Sequence, residues 1–214
     1  MSNTTAILLY SVVAYLLGSI PNSIWIGKLF FGIDVREHGS GNAGATNTLR
    51  VLGKKAGFSV LFLDVLKGFV AVQLVYLHDA FAYSPFIHEY QMVFGAFAVI
   101  GHIYPVFAGF KGGKGIATLI GLVTGISWML ALACFITFVI IVAITKYISV
   151  GSMLSGIVSP IYAGLIYNWE KINLVYFCCV IAVLVVYTHR SNIKRLLQGN
   201  ENKFSFNKKA SQKV

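Results

Sequence analysis

The chain has 214 residues, of which 57% are hydrophobic and 11% charged, and its mean hydropathy is +0.76. Such a composition excludes a water-soluble globular enzyme and a polar disordered chain, and leaves a polytopic membrane protein too short to carry a separate soluble domain. Seventeen Lys and Arg against seven Asp and Glu give a formal charge of +10; these cations sit at the ends of apolar runs, so the positive-inside rule and anionic lipid account for them and nucleic acid does not.

Residues 1–27 carry no charge, so the amino terminus lacks the basic region and cleavage site of a signal peptide and reads as a retained first span over 5–28. The next apolar runs predict spans at 56–77 and 90–109. From Gly115 to Thr145 there are 31 uncharged residues. One helix of that length would reach about 46 Å at 1.5 Å per residue, too long for a single upright crossing of about 30 Å. Two helices turning near Gly125-Ile126-Ser127-Trp128 fit better. Spans at 149–168 and 172–188 complete the series.

Charge separates six spans from seven. With seven, and the amino terminus outside, every basic residue except Lys171 lies in or beside the cytoplasm, while Asp79, Glu89 and Glu170 face outward. With six, Lys146 and the seven basic residues after His189 would be exported. The expectation is therefore an all-α membrane protein with seven transmembrane helices, N-terminus outside and C-terminus cytoplasmic. It forms a single polytopic domain over 1–198, followed by a polar cytoplasmic tail over 199–214 with no chemistry of its own. Cys134, Cys178 and Cys179 lie in apolar segments without metal-ligand spacing and read as packed thiols, so no metal site is expected.

Four polar clusters interrupt this pattern, and the seven-span topology gathers them on one membrane face. The first is Gly39-Ser40-Gly41-Asn42-Ala43-Gly44-Ala45-Thr46-Asn47-Thr48-Leu49-Arg50. Its glycines free backbone N–H groups, and its hydroxyls, its amides on Asn42 and Asn47, and the Arg50 guanidinium together suit phosphate oxygens. The second is Gly101-His102-Ile103-Tyr104-Pro105, then Gly109 to Gly115 and Thr118. It fails as a Walker loop, because only three residues separate Gly109 from Gly113-Lys114 and Gly115 stands where a Ser or Thr would hold magnesium. What remains is a glycine segment open to close approach at Gly113, Lys114 as a movable cation, and a helix beginning near Ile116; Lys111 reads equally as an interfacial anchor.

The third cluster, Lys146 to Ser152, offers Ser149 and Ser152 either as helix caps or as anion contacts. In the fourth, Thr188 to Arg195, His189 and Asn192 are three apart and share a face if the last helix continues, while Arg190, Lys194 and Arg195 suit lipid headgroups. Asp64 and Lys67, three apart inside the second span, are expected to neutralise each other. His38, His78 and His88 show no partner and read as loop residues.

With these motifs, and Leu16-Leu17-Gly18-Ser19-Ile20-Pro21 beside them, the chain closely resembles the bacterial acyl-phosphate-dependent glycerol-3-phosphate acyltransferases from about Leu16 to Leu197. The resemblance implies an enzyme of the bacterial cytoplasmic (inner) membrane with its site facing the cytoplasm. It would move a fatty acyl group from acyl phosphate to the 1-hydroxyl of glycerol 3-phosphate, giving lysophosphatidic acid and phosphate, the first committed step of membrane phospholipid synthesis. No cofactor is implied, and neither acyl carrier protein nor coenzyme A is the direct donor. Membrane lipid and a transient contact with the enzyme that makes acyl phosphate complete the partners. Carried onto this sequence, the catalytic residues are Ser40, Arg50, Lys114 and His189, and the substrate-binding residues are Gly39, Gly41, Asn42, Thr46, Asn47, Gly113, Ser152 and Asn192. The His-x4-Asp motif of other glycerol-phosphate acyltransferases is absent, since the fifth residue after each His is Ala43, Tyr83, Val93, Phe107 or Lys194. The base is then His189 or a substrate phosphate oxygen. The competing reading is a membrane transporter or binding protein for an organic phosphate, which Gly-rich loops and broken helices also serve.

Overall fold

The structure, a computed structural model, describes residues 2–204, and every regular element among them is helical. It divides into two compact units, one ending at Ile126 and the other beginning at Ser127.

The first unit contains α1 (Asn3–Gly18), α2 (Asn22–Phe31), α3 (Ala45–Leu52), α4 (Lys54–Gln73), α5 (Asp79–Ala82), α6 (Ile87–Ile103) and α7 (Ile116–Ile126). The expected first span is thus two helices. Pro21 has no N–H to donate and stands at the break, just before α2. α2 stops at Gly32, whose backbone is left-handed (φ 70°), the usual way a helix turns off its axis. α4 is the centre of the unit, packing on α7, α3, α6, α1 and α2. The α4 and α7 backbones approach closely through glycines on both sides: a side chain on Gly68 would strike the Thr118 carbonyl, and one on Gly121 the Val65 carbonyl. Without water to drive helices together in a bilayer, this close backbone packing supplies the association energy. At the other end of the unit, Phe81, Phe94 and Val75 are buried with Tyr10 and Tyr90 packed against them. His78 stacks on Phe81 there, and the His88 ring nitrogen lies 3.0 Å from the Gln91 side-chain oxygen, so neither is the plain loop histidine expected.

The second unit contains α8 (Trp128–Thr145), α9 (Ile148–Ile166), α10 (Ile172–Thr188) and α11 (Arg190–Leu197). The predicted turn falls at Ser127, which caps α8 by accepting the Leu130 N–H at 3.2 Å and takes a hydrogen bond from the Tyr167 hydroxyl at 2.7 Å. α9 packs on both α8 and α10. α8 buries only Leu130 and exposes Trp128, Leu132, Phe135, Val139 and Ile144, as a helix bathed in hydrocarbon does. At His189 the chain bends by 56° from α10 into α11, so the last helix does not continue straight.

Among the described residues, five helical stretches are long and apolar enough to cross a membrane, and counting the bent pair α10–α11 as one span makes six. The remaining apolar helix, α7, has 11 residues, about 16 Å of rise against the roughly 30 Å of a hydrocarbon core.

Candidate phosphate-binding site

In the first unit the site begins with a loop wound around one amide. Asn47 is 1% exposed. Its side-chain oxygen accepts the Ser40 N–H at 2.8 Å and the Ser40 hydroxyl at 3.1 Å, and its Nδ2 donates to the carbonyls of Val35 at 2.8 Å and His38 at 3.0 Å. Gly39 and Gly41 carry positive φ (63° and 72°), and a side chain on Gly39 would overlap Asn47 Oδ1. The glycines therefore serve a turn that other residues would strain, and they let that turn close onto Asn47. Thr48, fully buried, returns its hydroxyl to the Gly44 carbonyl at 3.1 Å. α3 starts directly after this loop, so Thr46 stands in its first turn, at the positive end of the helix dipole, and Arg50 lies in its last turn.

The segment 109–115 is the second element. Gly112 and Gly113 donate their N–H groups to the Ile103 and His102 carbonyls at 3.1 Å each, folding the segment back on the end of α6. A Cβ on Gly113 would collide with the His102 ring and stand 2.7 Å from the Ala43 carbonyl. Gly113 is therefore where the 39–44 loop, the second Gly-rich segment and α6 meet. Lys114 follows immediately, and Gly115, at φ 85°, leads into α7.

Beneath that junction lies a buried charged network. Lys67 Nζ is 3.0 Å from Asp64 Oδ1 and donates to the Ile20 carbonyl at 2.9 Å, and Asn22 donates to Asp64 at 2.9 Å. His102 Nδ1 lies 3.7 Å from the same Asp64 oxygen. The expected Asp64–Lys67 pair is present, with Asn22 and His102 added to it. A cavity of about 10 Å³ bordered by Asn22, Ala43, Asp64, Lys67, His102 and Gly113 has the size for one water.

In the second unit Ser152, His189 and Asn192 are 4%, 3% and 6% exposed. His189 Nδ1 lies 2.8 Å from the Val185 carbonyl. A carbonyl only accepts, so Nδ1 carries the proton and Nε2 is the basic nitrogen of the neutral ring. Neither Ser149 nor Ser152 caps α9, whose cap position is Tyr147. Both serines lie inside the helix's first turns.

The residues just past α11 are folded, contrary to the expectation of a solvated tail from 199; the later part of that tail, 205–214, lies outside the described residues. Asn200 donates its N–H to Arg195 at 2.8 Å, and Phe204 donates to the Lys146 carbonyl at 2.6 Å. Between them Glu201 accepts Ser149 Oγ at 2.9 Å, Asn192 Nδ2 at 2.7 Å and Arg195 Nε at 2.7 Å. Burial pushes this carboxyl up, but the hydrogen bonds from Asn192, Arg195 and Ser149 outweigh it and hold it below the ordinary range. Glu201 was legible only as the single acid among the basic residues after His189, a signal the tail's polar composition concealed. A second pair missed in the sequence, Asp34 and Arg36, stands just before the first loop, two residues apart.

The glycerol-3-phosphate acyltransferase family model matches residues 8–199. Glycerol-3-phosphate acyltransferases from Listeria monocytogenes and Chlorobaculum tepidum are similar to the chain at 41% and 44% identity. The alignments span 95% and 92% of this chain and 99% and 96% of those proteins. Among solved structures, PlsY (YgiH), an integral membrane glycerol 3-phosphate acyltransferase, is similar in its glycerol 3-phosphate form, with a TM-score of 0.82, 41% identity and coverage of 93% of this chain and 96% of that one. Its lysophosphatidic acid form gives a TM-score of 0.79 at 40% identity, with coverage of 94% and 96%. Over nearly its whole length, and through both Gly-rich elements, the chain belongs to the glycerol-3-phosphate acyltransferase family.

Proposed function

We propose that the protein transfers a fatty acyl group from acyl phosphate to the 1-hydroxyl of glycerol 3-phosphate in the bacterial cytoplasmic membrane, on the cytoplasmic face. The observation that carries this reading is the meeting of the Asn47-wound loop with the Gly113–Lys114 segment, in a chain that belongs to this family. The relatives known as PlsY hold glycerol 3-phosphate and lysophosphatidic acid, the acceptor and the acylated product of such a transfer.

Acyl phosphate is a mixed anhydride, so its phosphate departs without an enzyme nucleophile. The glycerol hydroxyl oxygen bonds to the acyl carbon, the carbon–oxygen bond to phosphate breaks, and the hydroxyl proton passes to a base. The protein has to position two anions and screen their repulsion. In this reading the backbone N–H of Gly39 and the side chains of Ser40, Asn42 and Thr46 hold the donor phosphate, while Gly41, which donates its N–H to the His38 carbonyl at 3.1 Å, and Asn47 keep that loop wound. Arg50 and Lys114 screen the charges, while Ser152, His189 and Asn192 hold glycerol 3-phosphate. Seven crossings, with α7 as a short span and the amino terminus outside, accord with the distribution of basic residues, and residues 1–198 form one catalytic domain in this reading.

A donor phosphate oxygen takes the proton in this scheme. His189→Ala then keeps measurable turnover with a raised KM for glycerol 3-phosphate, and its pH profile keeps the wild-type shape. Complete loss of turnover with unchanged glycerol 3-phosphate binding would make His189 the base. The activity itself is tested with purified protein in lipid, acyl phosphate and labelled glycerol 3-phosphate. Lysophosphatidic acid is the expected product, and label crossing sealed vesicles without product would support the transport reading instead.

A further inference from the structure

The proposed mechanism leaves the Asp34–Arg36 pair without a task, yet Arg36 uses its whole guanidinium edge. Nε and NH2 grip the Asp34 carboxylate at 3.0 and 2.7 Å, and NH1 reaches into the second Gly-rich segment, donating to the carbonyls of Ala108 at 3.0 Å and Lys111 at 3.4 Å. The Arg36 N–H also bonds Asp34 at 3.0 Å, closing the turn on itself. On the other side, the Arg36 carbonyl faces Gly41 closely enough that a Cβ added there would stand 3.4 Å from it. One residue thus borders the 39–44 loop with its backbone and bonds the 108–111 segment with its side chain. Together with Asp34, Glu37, Gly41, Lys111 and Gly112 it lines an open cleft of about 400 Å³, a size within the usual range of ligand sites.

We infer that Asp34 and Arg36 are positioning residues of the phosphate site, a clamp that fixes the spacing between the 39–44 loop and the 109–115 segment. The inference rests on the reading of those two elements as the phosphate holders. Only a planar fork can span a carboxylate and two carbonyls at once; a lysine at 36 keeps the charge but has no second edge to present. Asp34 is the anchor of the fork, and the Arg36 guanidinium beside it holds its carboxyl well below the usual carboxylate range. Lys28, 3.4 Å from Asp34 with its own side chain 57% exposed, adds a surface contact of little weight.

The test is steady-state kinetics of Arg36→Lys, Asp34→Asn and Lys28→Ala in lipid, with thermal midpoints measured on the same preparations and Lys114→Ala run beside them. The clamp predicts that Arg36→Lys raises the KM of both substrates at least tenfold while kcat at saturation falls less than threefold, with the midpoint close to wild type. Lys28→Ala leaves both constants unchanged. Asp34→Asn, which retains one acceptor oxygen, shifts KM in the same direction and carries the test alone if Arg36→Lys does not fold. The clamp is overturned if the variant that folds keeps both KM values within twofold, or if it loses only folded protein and kcat. An inert Lys114→Ala would remove the reading of the loops and the clamp with it; a defective Lys114→Ala beside unshifted Arg36→Lys would remove the clamp alone.

Discussion

Glu201 joins the end of α11 to the start of α9 with one carboxylate, and only 7% of its side chain is exposed. Removing it leaves buried Ser149 and Asn192 without that acceptor, at about 1–3 kcal/mol for each such group. Its charge matters as much as its shape. The folded-state pKa is depressed, so the stability it contributes is fully present above the unfolded value of about 4.3 and is lost as pH falls through the folded value. Asp34, depressed by Arg36, acts with the same sign in the same acid range. Thermal midpoints should therefore stay level from pH 6 to about pH 5 and fall from there to pH 3, and Glu201→Gln should start lower and lose part of that slope. An unchanged slope in Glu201→Gln would mean that the carboxylate's charge contributes nothing to the fold.

Among the elements, the buried pair on α4 shows how the fold supports the loops above it. Asp64 is 2% and Lys67 7% exposed, and removing one partner leaves the other charged in an apolar bundle, at about 3–5 kcal/mol. Lys67→Met should lower the thermal midpoint sharply, whereas adding Asp64→Asn in the same chain should recover much of the loss; additive losses would show that the pairing is not what stabilises α4. The sequence announced this pair because charges three apart in an apolar run have few other uses, and it announced the turn at Ser127 because 31 apolar residues exceed one crossing. The break at Pro21 was not legible, since it lies inside an uncharged run long enough for one span, and the bend at His189 was not, since the polar residues from Thr188 to Arg195 suit a straight helix as well as a bent one. Asn47 was legible as a polar residue of the loop, but its work inside the loop depends on the Val35 and His38 carbonyls, 12 and 9 residues away, which no local pattern reveals.

For the molecule as a whole, the distribution of basic residues predicts a topology that is independent of the chemistry. With the amino terminus outside and seven crossings, Glu89→Cys should react with a membrane-impermeant thiol reagent applied to intact cells, and Lys111→Cys should react only after the cells are opened. The reverse pattern would overturn the orientation. The four polar clusters were visible in the sequence as interruptions of apolar runs, but, Asn47 apart, charged residues that brace them lie outside the clusters: Asp34, Arg36, Asp64 and Glu201. Acids scattered through a basic chain look like surface charges until the fold brings donors to them.

The most direct test of the phosphate site is the turnover of Arg50→Ala and Lys114→Ala, assayed with acyl phosphate and glycerol 3-phosphate in lipid. On the proposed assignment each cation would make charge-assisted bonds to phosphate worth about 1.5–3 kcal/mol, so each variant should lose roughly ten- to a hundredfold in kcat/KM, and more where the transition state relies on the charge. Near-native turnover in both purified variants would contradict the assignment of the phosphate site.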